Sequence, residues 1–184
     1  MTGQARPVRV WLASMAMALI QQIDETARFT AVHAASAPED TASVPWLLTG
    51  AVLIVQQACT LALSEAGAEL PAMAGPAELV ARVADAAHLA QPFTAPLKPA
   101  HHRALDAVIA ARNSFMHPKP DGLAIDARAL PEGLMVATGL VRHLLLTQPV
   151  RPSMVSEAEA ASIRHSLDLV DMSVDFWRTV IEAT

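Results

Sequence analysis

The stretch SEAEAASIRHSLDLVDMSVDFWRTVI, residues 156–181, decides the fold of this chain. It opens with Ser156, followed three residues later by Glu159, a capping box that marks the N-terminus of a helix. Apolar residues then recur at steps of four and three, namely Ile163, Leu167, Val170, Val174, Trp177 and Ile181. This spacing lines one face of a helix, and such a face needs partner helices along its length. The stretch therefore predicts one helix of a bundle.

The composition of the chain also favours helices over sheets. Its 184 residues are 53% hydrophobic but only 4% aromatic, and tyrosine is absent. A core of Ala, Leu, Val, Ile and Met suits close helix packing better than the face of a sheet. The length allows one sizeable core and does not favour two. We therefore predict an all-α fold, a single-domain bundle of five or six helices over residues 1–184.

Proline and glycine set the expected helix boundaries, because proline suits the first turn of a helix and cannot continue one. A glycine at position 67 is a plausible helix terminator. Besides the helix quoted above, the pattern predicts helices over residues 8–35, 43–66, 76–90, 99–117 and 131–148.

The cysteine content and the apolar segments indicate the compartment. Cys59 is the only cysteine, so an internal disulfide is impossible and a reducing cytoplasm is the expected location. Residues 41–64 carry no formal charge and are long enough to span a bilayer. Gln56 and Gln57 lie within that segment and Pro45 interrupts its start, which favours a buried central helix. We expect no membrane partner.

Charge is distributed unevenly along the chain. The formal net charge of −5 argues against broad electrostatic binding to nucleic acid. Residues 89–120 have the opposite balance, because Asp106 is the only acid among them. The basic residues of this segment are Lys98, Arg103, Arg112 and Lys119. A local positive region of this kind suits a small phosphate site.

The fourth predicted helix ends in ARNSFMHP, residues 111–118, and places an arginine on an apolar face. At about 100° per residue, the side chains that surround Arg112 are those of Leu105, Val108, Ile109, Phe115 and Met116. A guanidinium in such a position must find an acceptor or lie at a subunit boundary, because burying an unpaired charge is costly. An internal salt bridge is one solution, with Asp168, Asp171 or Asp175 of the last helix as the acceptor.

A second face of the same helix is polar and carries His102, Asp106, Asn113 and His117. Asn113 precedes His117 by one turn and can orient its imidazole ring. His117 ends the helix because Pro118 follows it. The negative end of the helix dipole favours a protonated imidazole there, which suits proton transfer. A solvated histidine that caps the helix is the other interpretation.

The run from Arg112 and Asn113 to His117 and Pro118 at a helix end resembles the signature of HEPN domains. Members of that family are α-helical bundles, commonly dimeric, and many are metal-independent endoribonucleases. The resemblance covers residues 99–128. It implies that the chain binds RNA or a nucleotide phosphate and uses neither a cofactor nor a metal ion.

The resemblance also implies roles for individual residues. The reaction would be attack of an RNA 2′-hydroxyl on the adjacent phosphate, giving a cyclic phosphate and a free 5′-hydroxyl. His117 would be the general base or acid, Arg112 would stabilise charge on the phosphate oxygens, and Asn113 would hold the histidine or the phosphate. The residues expected to contact the substrate around this catalytic set are His102, Arg103 and Lys119.

The spacing of the two principal residues points to a dimer. A five-residue offset places Arg112 and His117 about 140° apart on a straight helix, which is awkward for contact with one phosphate. If two such helices meet across a two-fold axis, the arginine of one chain can approach the histidine of the other. We therefore predict a homodimer through the helix that carries Arg112.

Two other interpretations of the chain remain open. The first is a non-catalytic helical interaction or regulatory module, such as a toxin–antitoxin or stress-response component with an antitoxin-like partner. A salt bridge from Arg112 to Asp168 or Asp171 would favour it. The second is a metal centre, for which Asp85 and His88 have a suitable spacing, but the paired motifs of a di-iron bundle are absent. No metal site is predicted, and Cys59 is expected in the core.

Overall fold

The computed structural model describes residues 6–71, 73–93, 99–117 and 126–182, with side chains from Met17 onward. The described chain is helical and contains no strand, which confirms the predicted all-α bundle. The six α-helices are α1 (Arg6–Ser36), α2 (Val44–Glu65), α3 (Pro76–Val83), α4 (Pro99–Met116), α5 (Leu130–Arg142) and α6 (Glu157–Glu182). Short 3-10 turns at Thr41–Ser43 and Ala127–Ala129 lead into α2 and α5.

Helices α2 and α5 form the centre of the bundle. Helix α2 packs against α1, α3, α4 and α5, and α5 packs against α2, α4 and α6. Helices α1 and α6 pack against each other on one side, and within the described residues neither of them contacts α3 or α4. The bundle therefore has an α1/α6 side and an α3/α4 side, separated by the central pair.

The apolar residues of α2 lie in the core, as the sequence predicts. Leu47, Leu48, Ile54 and Leu61 are fully buried, and so is Cys59. Two helical segments, Thr41–Glu65 and Ala127–Thr147, are long and apolar enough to cross a membrane, but 67% and 56% of their apolar windows are buried inside the bundle. Such burial is typical of core helices in soluble proteins, and the absence of a membrane partner stays a prediction.

One predicted helix end was wrong. The third helix ends at Val83, not at residue 90, because the Asp85 carboxylate accepts a hydrogen bond from the backbone N–H of Ala87 at 2.8 Å and turns the chain. The Phe93 N–H then returns to the Val83 carbonyl at 2.9 Å. The fifth helix ends close to its predicted end at residue 148, but its last part, His143–Thr147, is a π-helical turn that continues from Arg142. A single wider turn at the end of an apolar pattern leaves no signal in the sequence.

The last helix matches its prediction closely. Ser156 Oγ and Glu159 Oε2 are 2.6 Å apart, and the Ser156 N–H donates to the same carboxylate at 2.9 Å. The Glu159 N–H donates back to Ser156 Oγ at 3.3 Å, which completes the capping box. Five of the six residues in the predicted apolar seam are buried, and the sixth, Ile181, packs against the core. The seam lies between α1 and α5.

Candidate functional site

The candidate site lies on α4, which a close crossing with α5 holds in place. A Cβ atom at Gly133 would overlap the backbone carbonyl of Ala104 and would lie 2.6 Å from Val108 Cγ2. Only glycine lets the two backbones approach so closely. One turn earlier on α4, His101 Nε2 lies 3.3 Å from Glu132 Oε1, so a polar contact accompanies the crossing. These contacts fix the face that α4 turns towards solvent.

Arg112 occupies the boundary between the core and the surface. It follows the buried Ala111, and the apolar side chains of Val108 and Ile109 on its own helix are buried. Its Nη1 donates a hydrogen bond to Asn113 Oδ1 at 3.0 Å. Its Nε is buried and has no hydrogen-bond partner among the described residues. The guanidinium is therefore held by one neutral acceptor and still has donors to offer.

The salt bridge from Arg112 to Asp168 or Asp171, which would favour the non-catalytic interpretation, is not seen among the described residues. Arg142 of α5 donates to Asp168 at 2.9 Å and to Asp171 at 2.7 Å, and Asp175 pairs with Arg178 at 3.5 Å. The two aspartates face α5, because α6 packs on the side of the bundle opposite to α4. The sequence offers these aspartates as acceptors, but only the packing of the helices decides which arginine reaches them.

Asn113 and His117 lie on the exposed surface of α4. The Asn113 side-chain oxygen contacts Arg112, and its backbone carbonyl accepts a hydrogen bond from the His117 N–H at 3.0 Å. The predicted orientation of the His117 ring by the Asn113 amide is thus not seen; the amide oxygen holds the guanidinium. The exposed polar stripe that includes His102 and Asp106 is present as predicted. The C-terminal end of α4 therefore carries a half-buried arginine, an exposed amide and an exposed imidazole.

The residues expected to contact the substrate are His102, Arg103 and Lys119. His102 and Asp106 line a small cleft of about 70 Å³ between α3 and α4. Arg103 is exposed on the same helix. Lys119 lies outside the described residues, and so does Lys98.

Met116, which the sequence placed on the apolar face, is 50% exposed beside the motif. This exposed apolar group is a feature of the site that periodicity alone did not identify.

A second polar region escaped the sequence analysis. Cavities of about 410 Å³ and 470 Å³ lie on either side of an ion pair between Glu65, at the end of α2, and Arg151. The Glu65 side chain is only 11% exposed. His88 lines the larger cavity. The two charges are 86 positions apart in sequence, so no local pattern could have joined them.

Neither Cys59 nor the histidines form a second reactive centre in the described chain. Burial raises the pKa of the Cys59 thiol far above its usual range, because nothing near it compensates a thiolate. Among the described residues, no three His, Cys, Asp or Glu side chains converge to hold a metal ion. Asp85 and His88 do not meet a further ligand there.

The chain matches no protein family model, no curated protein and no solved structure. The likeness to HEPN domains therefore rests on the residues of α4 and on the helical architecture. For this reason the geometry of Arg112, Asn113 and His117 has to carry the functional argument.

Proposed function

We propose that this protein binds the phosphate of RNA or of a nucleotide at Arg112, Asn113 and His117, as a HEPN-like helical bundle. The observation that carries the proposal is the state of Arg112. Its guanidinium lies at the surface with one neutral acceptor, Asn113, while its Nε has no partner in the described chain. Because Nη1 is held by a neutral acceptor, the positive charge is not cancelled, and the terminal N–H groups of the guanidinium can be offered to phosphate oxygens.

The charges around the motif support an anionic ligand. The carboxylates of Asp168 and Asp171, which could have neutralised Arg112, are held by Arg142. His117 and Arg103 are exposed on the same helix. A planar guanidinium suits phosphate because it can offer two parallel N–H donors to two oxygens. The site thus combines a cation with available donors and an imidazole that can exchange a proton.

A dimer through α4 would complete the site. Arg112 and His117 are five residues apart and point in different directions on one helix, at about 140°. Two copies of α4 that meet across a two-fold axis would bring the arginine of one chain to the histidine of the other. The half-exposed Met116 lies beside the motif and offers apolar surface for such a contact. The resulting cleft would hold two arginines and two histidines.

Cleavage is the reaction that this arrangement suits. One imidazole takes the proton from the 2′-hydroxyl, and the oxygen forms a bond to the adjacent phosphorus. The bond from phosphorus to the 5′-oxygen breaks, and a protonated imidazole supplies the proton to that leaving oxygen. Arg112 stabilises the charge that develops on the non-bridging oxygens. Asn113 fixes the guanidinium in the orientation that this requires.

The test uses purified protein with mixed RNA in the presence of EDTA. We expect RNA binding by the wild-type protein, weaker binding by Arg112→Ala, and cleavage that is lost in both Arg112→Ala and His117→Ala. Arg164→Ala and His88→Ala change the same residue types away from α4 and should behave as the wild type. If the wild-type protein neither binds nor cleaves RNA, the nuclease proposal is wrong and the non-catalytic interaction module replaces it.

A further inference from the structure

Helix α6 has a second apolar stripe on its exposed side, separate from its buried seam. The stripe consists of Leu169, Met172, Phe176 and Val180, at steps of three, four and four. These four side chains are between 36% and 69% exposed. A helix of a soluble bundle normally has one apolar face, and the opposite face is polar. An α-helix with two apolar faces packs on two sides.

Helix α1 widens this stripe. Ser162 Oγ lies 2.6 Å from Asp24 Oδ1, and the N-terminal turn of α6 lines the same cavity as Met17. The two helices therefore run in the same direction, and Val32 of α1 lies at the level of the stripe. Val32 is 64% exposed. We call the surface formed by Val32, Leu169, Met172, Phe176 and Val180 the α1/α6 face.

Three of the charged residues near the α1/α6 face are paired within the chain. Asp168 is bound to Arg142, and Asp175 to Arg178. On the α1 side, Arg28 is bound to Asp24. Pairing of these charges reduces like-charge repulsion when the face meets an identical surface.

We propose that the α1/α6 face is an interface with a second copy of this chain, formed by antiparallel packing of the two α6 helices about a two-fold axis near residue 174. This arrangement places Met172 of one copy opposite Phe176 of the other, and Leu169 opposite Val180. It is isologous, so one stripe supplies both halves of the contact.

The area of the face agrees with a second copy as the occupant. At roughly 200 Å² for a large apolar side chain, the exposed fractions of the five residues amount to about 500 Å² per copy. Two copies would bury about 1,000 Å² of apolar surface, which reaches the lower bound for a specific interface before any polar rim is counted. Exposed apolar surface of this extent on two neighbouring helices is also at the upper end for a monomeric protein.

This interface is independent of the proposed phosphate site. The α1/α6 side of the bundle has no contact with α4 in the described chain. A protein that used both contacts would form open chains of alternating two-fold interfaces, because the two surfaces lie on different sides of one subunit. If experiment disproves the dimer through α4, the interface at the α1/α6 face is not affected, and the reverse also holds.

Cysteine cross-linking tests the proposal, because the only native thiol, Cys59, is fully buried. Ser173→Cys places a thiol on the stripe near the proposed axis. Under a mild oxidant we expect this variant to form a disulfide-linked dimer. Ser64→Cys, at the exposed end of α2, is the matched control and should remain monomeric on denaturing gels. A thiol at Ser114 of α4 reports separately on the dimer of the proposed function.

A charged substitution within the stripe provides a second test of the proposal. Phe176→Glu in the Ser173→Cys background should abolish the cross-link and lower the sedimenting mass at least twofold, with an unchanged circular dichroism spectrum. Met73→Glu, at a solvated methionine far from α6 in sequence, should change neither. A Ser173→Cys protein that cross-links no faster than the Ser64→Cys control overturns the proposal, as does cross-linking that survives Phe176→Glu. Either result shows that the stripe is not an interface between copies of this chain.

Discussion

The guanidinium of Arg112 donates a hydrogen bond to the side-chain oxygen of Asn113, the next residue, at 3.0 Å. Adjacent residues on a helix normally point about 100° apart, so both side chains must bend towards each other to meet. Because the acceptor is neutral and exposed, the positive charge of Arg112 is oriented but not cancelled. This distinguishes the site from the salt bridges of Arg142, whose charge is used within the fold.

Asn113→Ala should weaken RNA binding without destabilising the fold. Asn113 is exposed, so its loss should change the free energy of unfolding by no more than about 0.5 kcal/mol. Loss of one orienting hydrogen bond should lower the affinity for RNA about three- to tenfold. Fluorescence anisotropy with labelled RNA measures the affinity. Gln21→Ala, an exposed amide on α1, is the control, and equal affinities of the two variants would remove Asn113 from the site.

Gly133→Ala should destabilise the protein and displace α4. The new methyl group would overlap the Ala104 carbonyl, which belongs to the backbone and cannot rotate away. We expect a loss of about 1–3 kcal/mol in the free energy of unfolding. Gly139 lies in the same helix with nothing within 4 Å of its Cβ position. Gly139→Ala should therefore stabilise the protein by about 0.5–1 kcal/mol.

Urea denaturation followed by circular dichroism measures both glycine variants. Opposite signs of the two changes would establish that the close crossing of α4 and α5 is present in solution. If Gly133→Ala were as stable as Gly139→Ala, the crossing would be looser than described here.

Asp171 and Asp168 should contribute unequally to the free energy of unfolding, although both bind Arg142. Asp171 is the more buried of the two and also accepts a hydrogen bond from Thr138 Oγ1 at 2.6 Å. Asp171→Ala leaves the buried Thr138 hydroxyl and the guanidinium without this acceptor, so we expect a loss of about 2 kcal/mol. The Asp168 carboxylate is 54% exposed, and Asp168→Ala should cost less than about 1 kcal/mol. Thermal and chemical denaturation of the two variants would contradict this ranking if they showed equal losses.

The Cys59 thiol should be inert in the folded protein. Burial raises its pKa, so the reactive thiolate is not populated at pH 8. A thiol reagent such as DTNB should label it only after addition of denaturant, whereas Ser64→Cys should gain one rapidly reacting thiol. Labelling of the native wild-type protein at the rate of that control would place Cys59 outside the core.

Burial of the Cys59 thiol also makes the free energy of unfolding depend on pH. An acid whose pKa is raised by folding contributes its full stability below the pKa of the unfolded thiol, about 8.5. As the pH rises above that value, the unfolded state loses a proton that the folded state retains. The free energy of unfolding should therefore fall with increasing pH in this range. Cys59→Ala should lack this component of the slope.

Local physics determined most of the architecture. The capping box at Ser156 and the apolar period after it require only contacts within one helix, and both are present as predicted. Prolines at positions 45, 76, 99 and 131 fall in the first turns of α2, α3, α4 and α5, because the absent N–H has no partner to lose there. The end of α3 was missed because the amphipathic pattern predicts a continuing helix. The Asp85 side chain instead binds the backbone and closes a turn there.

Tertiary packing decided which charges meet. The sequence alone identified Arg112, Asn113 and His117 and placed them at the end of one helix, since their spacing and the following proline are local facts. It could not show that Asp168 and Asp171 bind Arg142 in place of Arg112, nor that Glu65 meets Arg151. Helix periodicity fixes the direction in which a side chain points from the axis of its helix. The partner of that side chain depends on how whole helices pack. Only the assembled core sets that arrangement.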